Sequence, residues 1–144
     1  MVSPLVDLAR GQVEEIKRSG LSAASFDTDS LEEARVKQIP VYEQMKRGEL
    51  SVVVAGPERL TAKTFRTALR AARAYVGLYI IDEAHVVGPW SRDFREDYNE
   101  VPHVVSRLRP NIPVIAMTAT LSREAEHQLV RKLGWAPGTY VVHP

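Results

Sequence analysis

Two adjacent carboxylates, Asp82 and Glu83, stand at the end of a short apolar run over residues 76–81, with His85 two residues further on. Such a run predicts a buried strand that delivers both acids to a sheet edge. In open α/β sheets ligands bind beyond the carboxyl ends of the strands, so acids placed there suit metal attraction and water activation. A polar segment carrying Trp90, Arg92, Phe94, Arg95 and Tyr98 follows at once. Flat π faces mixed with cations suit single-stranded nucleic acid. Each group also has a plainer use. Asp82-Glu83 alone serves equally as a capping pair or a solvated turn. Trp90, Phe94 and Tyr98 have the near-helical spacing of a packed stripe. Arg92 and Arg95 have Asp93, Glu96 and Asp97 beside them for surface ion pairs of little energetic weight.

The elements that must position these groups are legible from periodicity and punctuation. Leu5, Leu8, Val13 and Ile16 form an amphipathic stripe, interrupted by Gly11, that predicts a helix over 5–19 stopped by Gly20. Residues 23–26 read as a short strand. Ser30-Leu31-Glu32-Glu33 fits a capping box opening a second helix, which Pro40 splits before a segment over 41–47. The β-branched run 51–55 predicts a buried strand, followed by a Gly56-Pro57 turn into a helix with Phe65, Leu69 and Ala72 on one face. Beyond the aromatic segment, Pro102 belongs to the first turn of a helix running to Leu108. Residues 113–117 read as a strand ending in Thr118-Ala119-Thr120, Ser122 caps a helix closed by Gly134, and residues 140–143 read as a last strand. Strands alternating with helices argue for a parallel sheet covered on both faces.

The bulk numbers set the frame. A chain of 144 residues makes one domain. A net charge of +1 exerts no general pull on nucleic acid, so any such binding rests on local patches. The absence of cysteine excludes disulfides and thiolate zinc sites. Apolar runs are too short to span a bilayer and no secretory leader opens the chain, so no membrane partner is expected. Glu124 and His127, three apart on a helix, are too few ligands for a metal site.

Several of these pieces stand in a known order. Ser3-Pro4-Leu5 with Gln12-Val13 resembles motif Ia of superfamily 2 helicases, and Pro57-Glu58-Arg59-Leu60 resembles motif Ib. Asp82-Glu83-Ala84-His85 looks like motif II, and Thr118-Ala119-Thr120 like motif III. Trp90, Asp93-Phe94-Arg95 and Tyr98 are similar to the aromatic-rich loop of RecQ-like DNA helicases. The resemblance covers nearly the whole chain. It implies a RecA-like, P-loop NTPase type, three-layer α/β fold with a mostly parallel sheet, here a partial, N-terminally truncated first RecA-like (ATP-binding) domain over 1–144.

By that resemblance Asp82 helps hold the magnesium ion of ATP, and Glu83 positions or activates the attacking water. His85, Thr118 and Thr120 couple the nucleotide site to the nucleic-acid groove. Ser3 and Arg59 contact sugar-phosphate, and Trp90, Arg92, Phe94 and Arg95 sense single-stranded or forked DNA. The implied whole is an ATP-dependent 3′-5′ DNA helicase, nuclear in a eukaryote and otherwise cytoplasmic. The alternative is a non-catalytic nucleic-acid or partner-binding module derived from a helicase domain.

The departures carry their own expectations. No G-x-G-K-[ST] occurs in the chain, whereas the family has such a phosphate loop before motif Ia. A second RecA-like domain with its arginine finger is likewise outside these residues. The expectations are that this chain binds ATP and Mg2+ weakly, lacks turnover alone and folds marginally. They extend to a gap beside the strand at 113–117, or its closure by the strand at 140–143. Pro89, Ser91 and Arg92 replace the usual Gln, Gly and His of the aromatic-rich loop.

Overall fold

The computed structural model describes residues 1–4, 6–87, 100–107, 112–120 and 122–142. Among these described residues six helices and four short strands follow one another: α1 Val6–Arg18, β1 Ala23–Ser25, α2 Thr28–Val36, α3 Val41–Lys46, β2 Val52–Val54, α4 Lys63–Ala72, β3 Tyr79–Ile81, α5 Glu100–Arg107, β4 Val114–Ala116 and α6 Arg123–Leu133. A 3-10 turn, Pro57–Thr61, joins β2 to α4, and another, Ala84–Val87, follows β3.

All pairing among the described residues is parallel. β1 lies beside β2 with Ala24 opposite Val53, and β3 beside β4 with Ile80 opposite Ile115. The two ladders meet through the first residues of the chain, where Val2 bridges to Ala55 on one side and Ile81 on the other. Bonding alternates along this seam. Ser3 donates its N–H to the Ala55 carbonyl at 3.0 Å, whereas Val2 donates to Ile80 at 2.8 Å and accepts from the Asp82 N–H at 2.8 Å. The spatial order is therefore β1, β2, the Val2 segment, β3, β4, which is the parallel α/β arrangement expected of a RecA-like fold.

Side chains alternate across the strands and sort into two cores. Ala23 and Val54 meet Ala9 and Val13 of α1 on one face. On the other, Ala24, Phe26, Ala55, Tyr79 and Ile81 join Met45, Leu60, Phe65, Ala68, Ala72, Val101, Val104 and Leu129. Phe26 is wholly buried at the centre, edge-on to Tyr42 and Phe65 with ring centroids 5.1 Å and 5.5 Å away. Burying an aromatic side chain in this way contributes about 2–3 kcal/mol.

Coverage of both sheet faces holds over β1 and β2. Over β4 it does not: Val114 and Ala116 pack into the larger core, while Ile115 on the reverse face is 45% exposed. No described helix lies there.

Two sequence expectations change. Helix α2 is capped by Asp27, not Ser30: the Asp27 carboxylate accepts from both the backbone N–H and the hydroxyl of Ser30. Ser30 thus occupies the third helical position, and aspartate is the stronger acceptor for the free N–H groups of the first turn. The expected last strand is also absent over its described residues, 140–142. Tyr140 instead stacks on Trp135 at 6.1 Å, a turn closed by Thr139 bonding to the Ala136 carbonyl follows α6, and Val141 is 77% exposed. Strand propensity is realised only where an edge lies within pairing distance. The outer edge of β4 therefore has no partner strand among the described residues.

Candidate functional site

The carboxyl ends of the Val2 segment, β3 and β4 converge, and they bring six of the candidate residues into one locality. Ser3 is 1% exposed, and its hydroxyl donates to Asp82 Oδ2 at 3.0 Å. The hydroxyl orients the first acid of the pair. The other oxygen, Oδ1, accepts the N–H of Glu83 at 3.0 Å, so Asp82 is fixed at both ends.

Glu83 leaves the strand with φ of 51°, in the left-handed region that a side chain with Cβ seldom occupies. Such a residue costs on the order of 1 kcal/mol and persists when its surroundings over-determine it. Here they do. Ala84, the next residue, is 1% exposed and donates its N–H to the Met117 carbonyl at 2.8 Å, while Met117 donates to Ile81 at 2.8 Å. The ends of β3 and β4 are thereby locked together, and the backbone must reverse at Glu83. The Met117 carbonyl is a part of the site that sequence reasoning missed, because main-chain groups carry no residue signature.

His85 links the pair to the end of β4. Its Nδ1 lies 3.0 Å from Thr118 Oγ1 and 3.2 Å from Glu83 Oε2. Thr118 donates its own proton to the Thr120 carbonyl at 3.0 Å and accepts from the Thr120 N–H at 3.3 Å. With that proton committed and Glu83 an acceptor when ionised, the bonding pattern assigns the ring proton to Nδ1, shared between Glu83 and Thr118. A continuous line of bonds thus runs from the second acid through imidazole to the Thr118-Ala119-Thr120 turn.

Arg59 stands apart from this cluster. It is half-buried, and one guanidinium nitrogen reaches Thr28 Oγ1 at 3.2 Å, at the start of α2. Trp90, Arg92, Phe94 and Arg95 lie outside the described residues. Among the described residues no group of three or more His, Cys, Asp and Glu side chains forms a metal cage. The donor set fits a different mode: hard oxygen ligands from one or two carboxylates suit Mg2+ that is shared with phosphate oxygens. No described helix is long and apolar enough to cross a membrane.

Parallel strands joined by helices, with an acid pair at one strand end bonded across to the next, are the arrangement of a RecA-like α/β fold. The profile of the DEAD/DEAH box helicases matches residues 1–128, and the chain belongs to that family. It is 31% identical over 141 residues to the ATP-dependent helicase SGS1 of Saccharomyces cerevisiae, covering 92% of this chain and 9% of that protein. It is 31% identical over 137 residues to the ATP-dependent DNA helicase RecQ of Bacillus subtilis, covering 92% of this chain and 22% of that protein. The ATP-dependent helicase wrn-1 of Caenorhabditis elegans is 31% identical over 134 residues, or 92% of this chain and 12% of that protein. The chain thus spans less than a quarter of the length of each of these relatives.

Proposed function

We propose that this chain forms part of the first RecA-like domain of an ATP-dependent, RecQ-type 3′-5′ DNA helicase, with the strand-end cluster as its half of the hydrolysis site. The observation that carries the reading is the line of bonds from Glu83 through His85 Nδ1 to Thr118. It gives the water-activating acid a direct connection to the turn after β4, as a site that passes hydrolysis on to a moving element requires. Asp82 would hold Mg2+ together with nucleotide phosphates, and the ion would supply charge neutralisation for the transferring phosphoryl group. Ser3 keeps the Asp82 carboxylate in register. Glu83 holds the attacking water, and His85 senses the state of Glu83 through the shared proton.

The phosphate cradle is not among these residues, since no G-x-G-K-[ST] occurs in the sequence. Backbone N–H groups and a lysine that grip the β- and γ-phosphates supply most of the affinity in P-loop enzymes. The chain alone therefore binds ATP and Mg2+ weakly and does not turn ATP over. Trp90, Arg92, Phe94, Arg95 and Arg59 are its candidate contacts to single-stranded or forked DNA, on the strength of sequence. In a eukaryote the place of work is the nucleus.

The test is a magnesium-dependent ATPase assay on the purified chain with and without single-stranded DNA. The expected result is no turnover. Clear turnover that Glu83→Gln abolishes would overturn the claim of inactivity, and binding of single-stranded DNA lost in Trp90→Ala with Arg95→Ala would support the assigned loop.

A further inference from the structure

A second charged locality lies away from the acid pair. A cleft of about 350 Å³ between α4 and α5 is lined by Arg66, Leu69, Arg70, Arg73, Val104 and Arg107. Helices that connect parallel strands run back against them, so the last turns of α4 and α5 lie toward the opposite sheet edge from Asp82. Three of the arginines share one face of α4 at positions i, i+4 and i+7, with Arg107 across from them. None of the four makes an ion pair or side-chain hydrogen bond among the described residues. Residues 59–81 carry five cations and no acid, in a chain whose net charge is only +1.

Part of this has a plain structural use. Arg70 and Arg107 fall in the last turns of their helices, where a cation offsets the negative end of the helix dipole. Arg66 sits mid-helix and has no such role. Stacking it one turn from Arg70, with Arg73 one turn beyond, sets like charges at repelling spacings. Elsewhere the molecule avoids this: α1 and α3 carry complementary pairs, Lys17 with Glu14 and Lys46 with Glu43. An arginine stripe left without counter-charge is a surface whose counter-charge comes from outside.

We propose that this cleft docks an acidic amphipathic segment of a partner protein, in which two or more carboxylates flank an aliphatic side chain. Guanidinium forks grip carboxylates in bidentate fashion, and four of them surround the cleft. Its floor is aliphatic, with Val104 buried and Leu69 half-buried against the main core, which suits a leucine-like side chain between the acids. Among the described residues no aromatic side chain lines it, and the aliphatic floor they form seats a leucine-like side chain rather than a stacked base. Its volume sits near the lower bound of about 300 Å³ for pockets that enclose a ligand, the scale of a few side chains rather than a long polymer. Nothing here depends on nucleotide hydrolysis, so failure of this proposal leaves the hydrolysis reading standing, and the reverse.

The experiment is fluorescence anisotropy of a labelled peptide in which glutamates flank a leucine pair, titrated with the full 144-residue chain at low salt. The matching glutamine peptide and a labelled oligothymidylate serve as controls. The expected result is saturable binding of the acidic peptide alone, weakened about tenfold in Arg70→Gln with Arg107→Gln. All four arginines are exposed, so these variants should keep the wild-type thermal transition, and Arg66→Gln with Arg73→Gln provides an independent pair. Absence of binding overturns the proposal, as does equal binding of the glutamine peptide or insensitivity to both variant pairs. Oligothymidylate that displaces the peptide and loses the same tenfold in the variants would assign the cleft to nucleic acid instead.

Discussion

The two ladders of this sheet handle polar groups in opposite ways. Around β1 and β2 the chain neutralises itself: seven of the ion pairs among described residues fall between residues 10 and 49. Asp27 there is almost fully buried yet saturated, taking bonds from Arg10, Ser25 and Ser30. Around β3 and β4 the one such pair joins His85 to Glu83, within the candidate site itself. That half also holds a strained backbone at Glu83, an open edge at β4 and exposed Ile115, Met117, Val141 and Val142. The β1–β2 half spends its ion pairs on its own helices, whereas the pair described in the β3–β4 half ties one member of the candidate site to another.

The contrast can be broken most forcefully at its shared core. Phe26→Ala removes a ring buried against Tyr42 and Phe65, and is expected to cost about 3–5 kcal/mol in denaturant-induced unfolding. If the halves share one core, probes in both will lose structure together; a β3–β4 signal that outlasts the rest would show two separable units.

Next comes Asp27→Ala, expected to cost about 2 kcal/mol through loss of the cap and its buried bonds. Burial pushes this carboxyl up, but bonds from Arg10, Ser25 and Ser30 outweigh it and hold the group well below the usual carboxylate range. The unfolded chain takes up that proton near pH 4, so the stabilisation is full above about pH 4 and drains away as pH falls further. Thermal midpoints measured from pH 6 downward should fall more steeply in the wild type than in Asp27→Ala.

On the other side, Glu83→Gly should stabilise the chain by about 0.5–1 kcal/mol by relieving the left-handed φ, whereas Glu83→Ala should not. A stabilising loss of a site residue is the signature of strain held for function. Smaller still, Ile115→Thr should leave the unfolding midpoint unchanged and reduce self-association in sedimentation, since the side chain is 45% exposed beside an unpaired edge. At the bottom of the scale, Arg35→Gln breaks the exposed pair with Glu32, and no change in midpoint should be detectable.

The sequence was most readable where side-chain type and spacing carry the information. Asp82-Glu83-Ala84-His85 and Thr118-Ala119-Thr120 each read as the end of a strand, and the structure sets those strands side by side and joins the two motifs through His85. The helix expected over 5–19 forms as Val6–Arg18, and Ser122 caps α6 by accepting from the Ala125 N–H. What escaped depends on long-range geometry. Ser3 reads from sequence as the tail of a strand with a hydroxyl for sugar-phosphate, and only the fold sets that hydroxyl against Asp82, 79 residues away in sequence. Tyr140, Val141 and Val142 read as a strand because their types favour one, but no edge comes within reach of them. Phe65, Leu69 and Ala72 mark the inner face of α4 in the sequence, but that its arginines share a cleft with Arg107 shows only when α5 supplies the other wall.

The Val2 seam has one further consequence, for the order in which the molecule lets go of its protons to solvent. The N–H groups of Ser3 and Ala55 bond across one side of the seam, to Ala55 and Met1 carbonyls, and those of Val2 and Asp82 across the other. Among the described residues, three therefore govern the backbone bonds that tie the two ladders together. If the seam parts before either ladder does, these four amides will exchange with deuterium as a single kinetic group, ahead of those within β1–β2 and β3–β4. The same opening frees Asp82 from Ser3, so deuterium uptake at Val2 would also count how often the first acid of the pair is released.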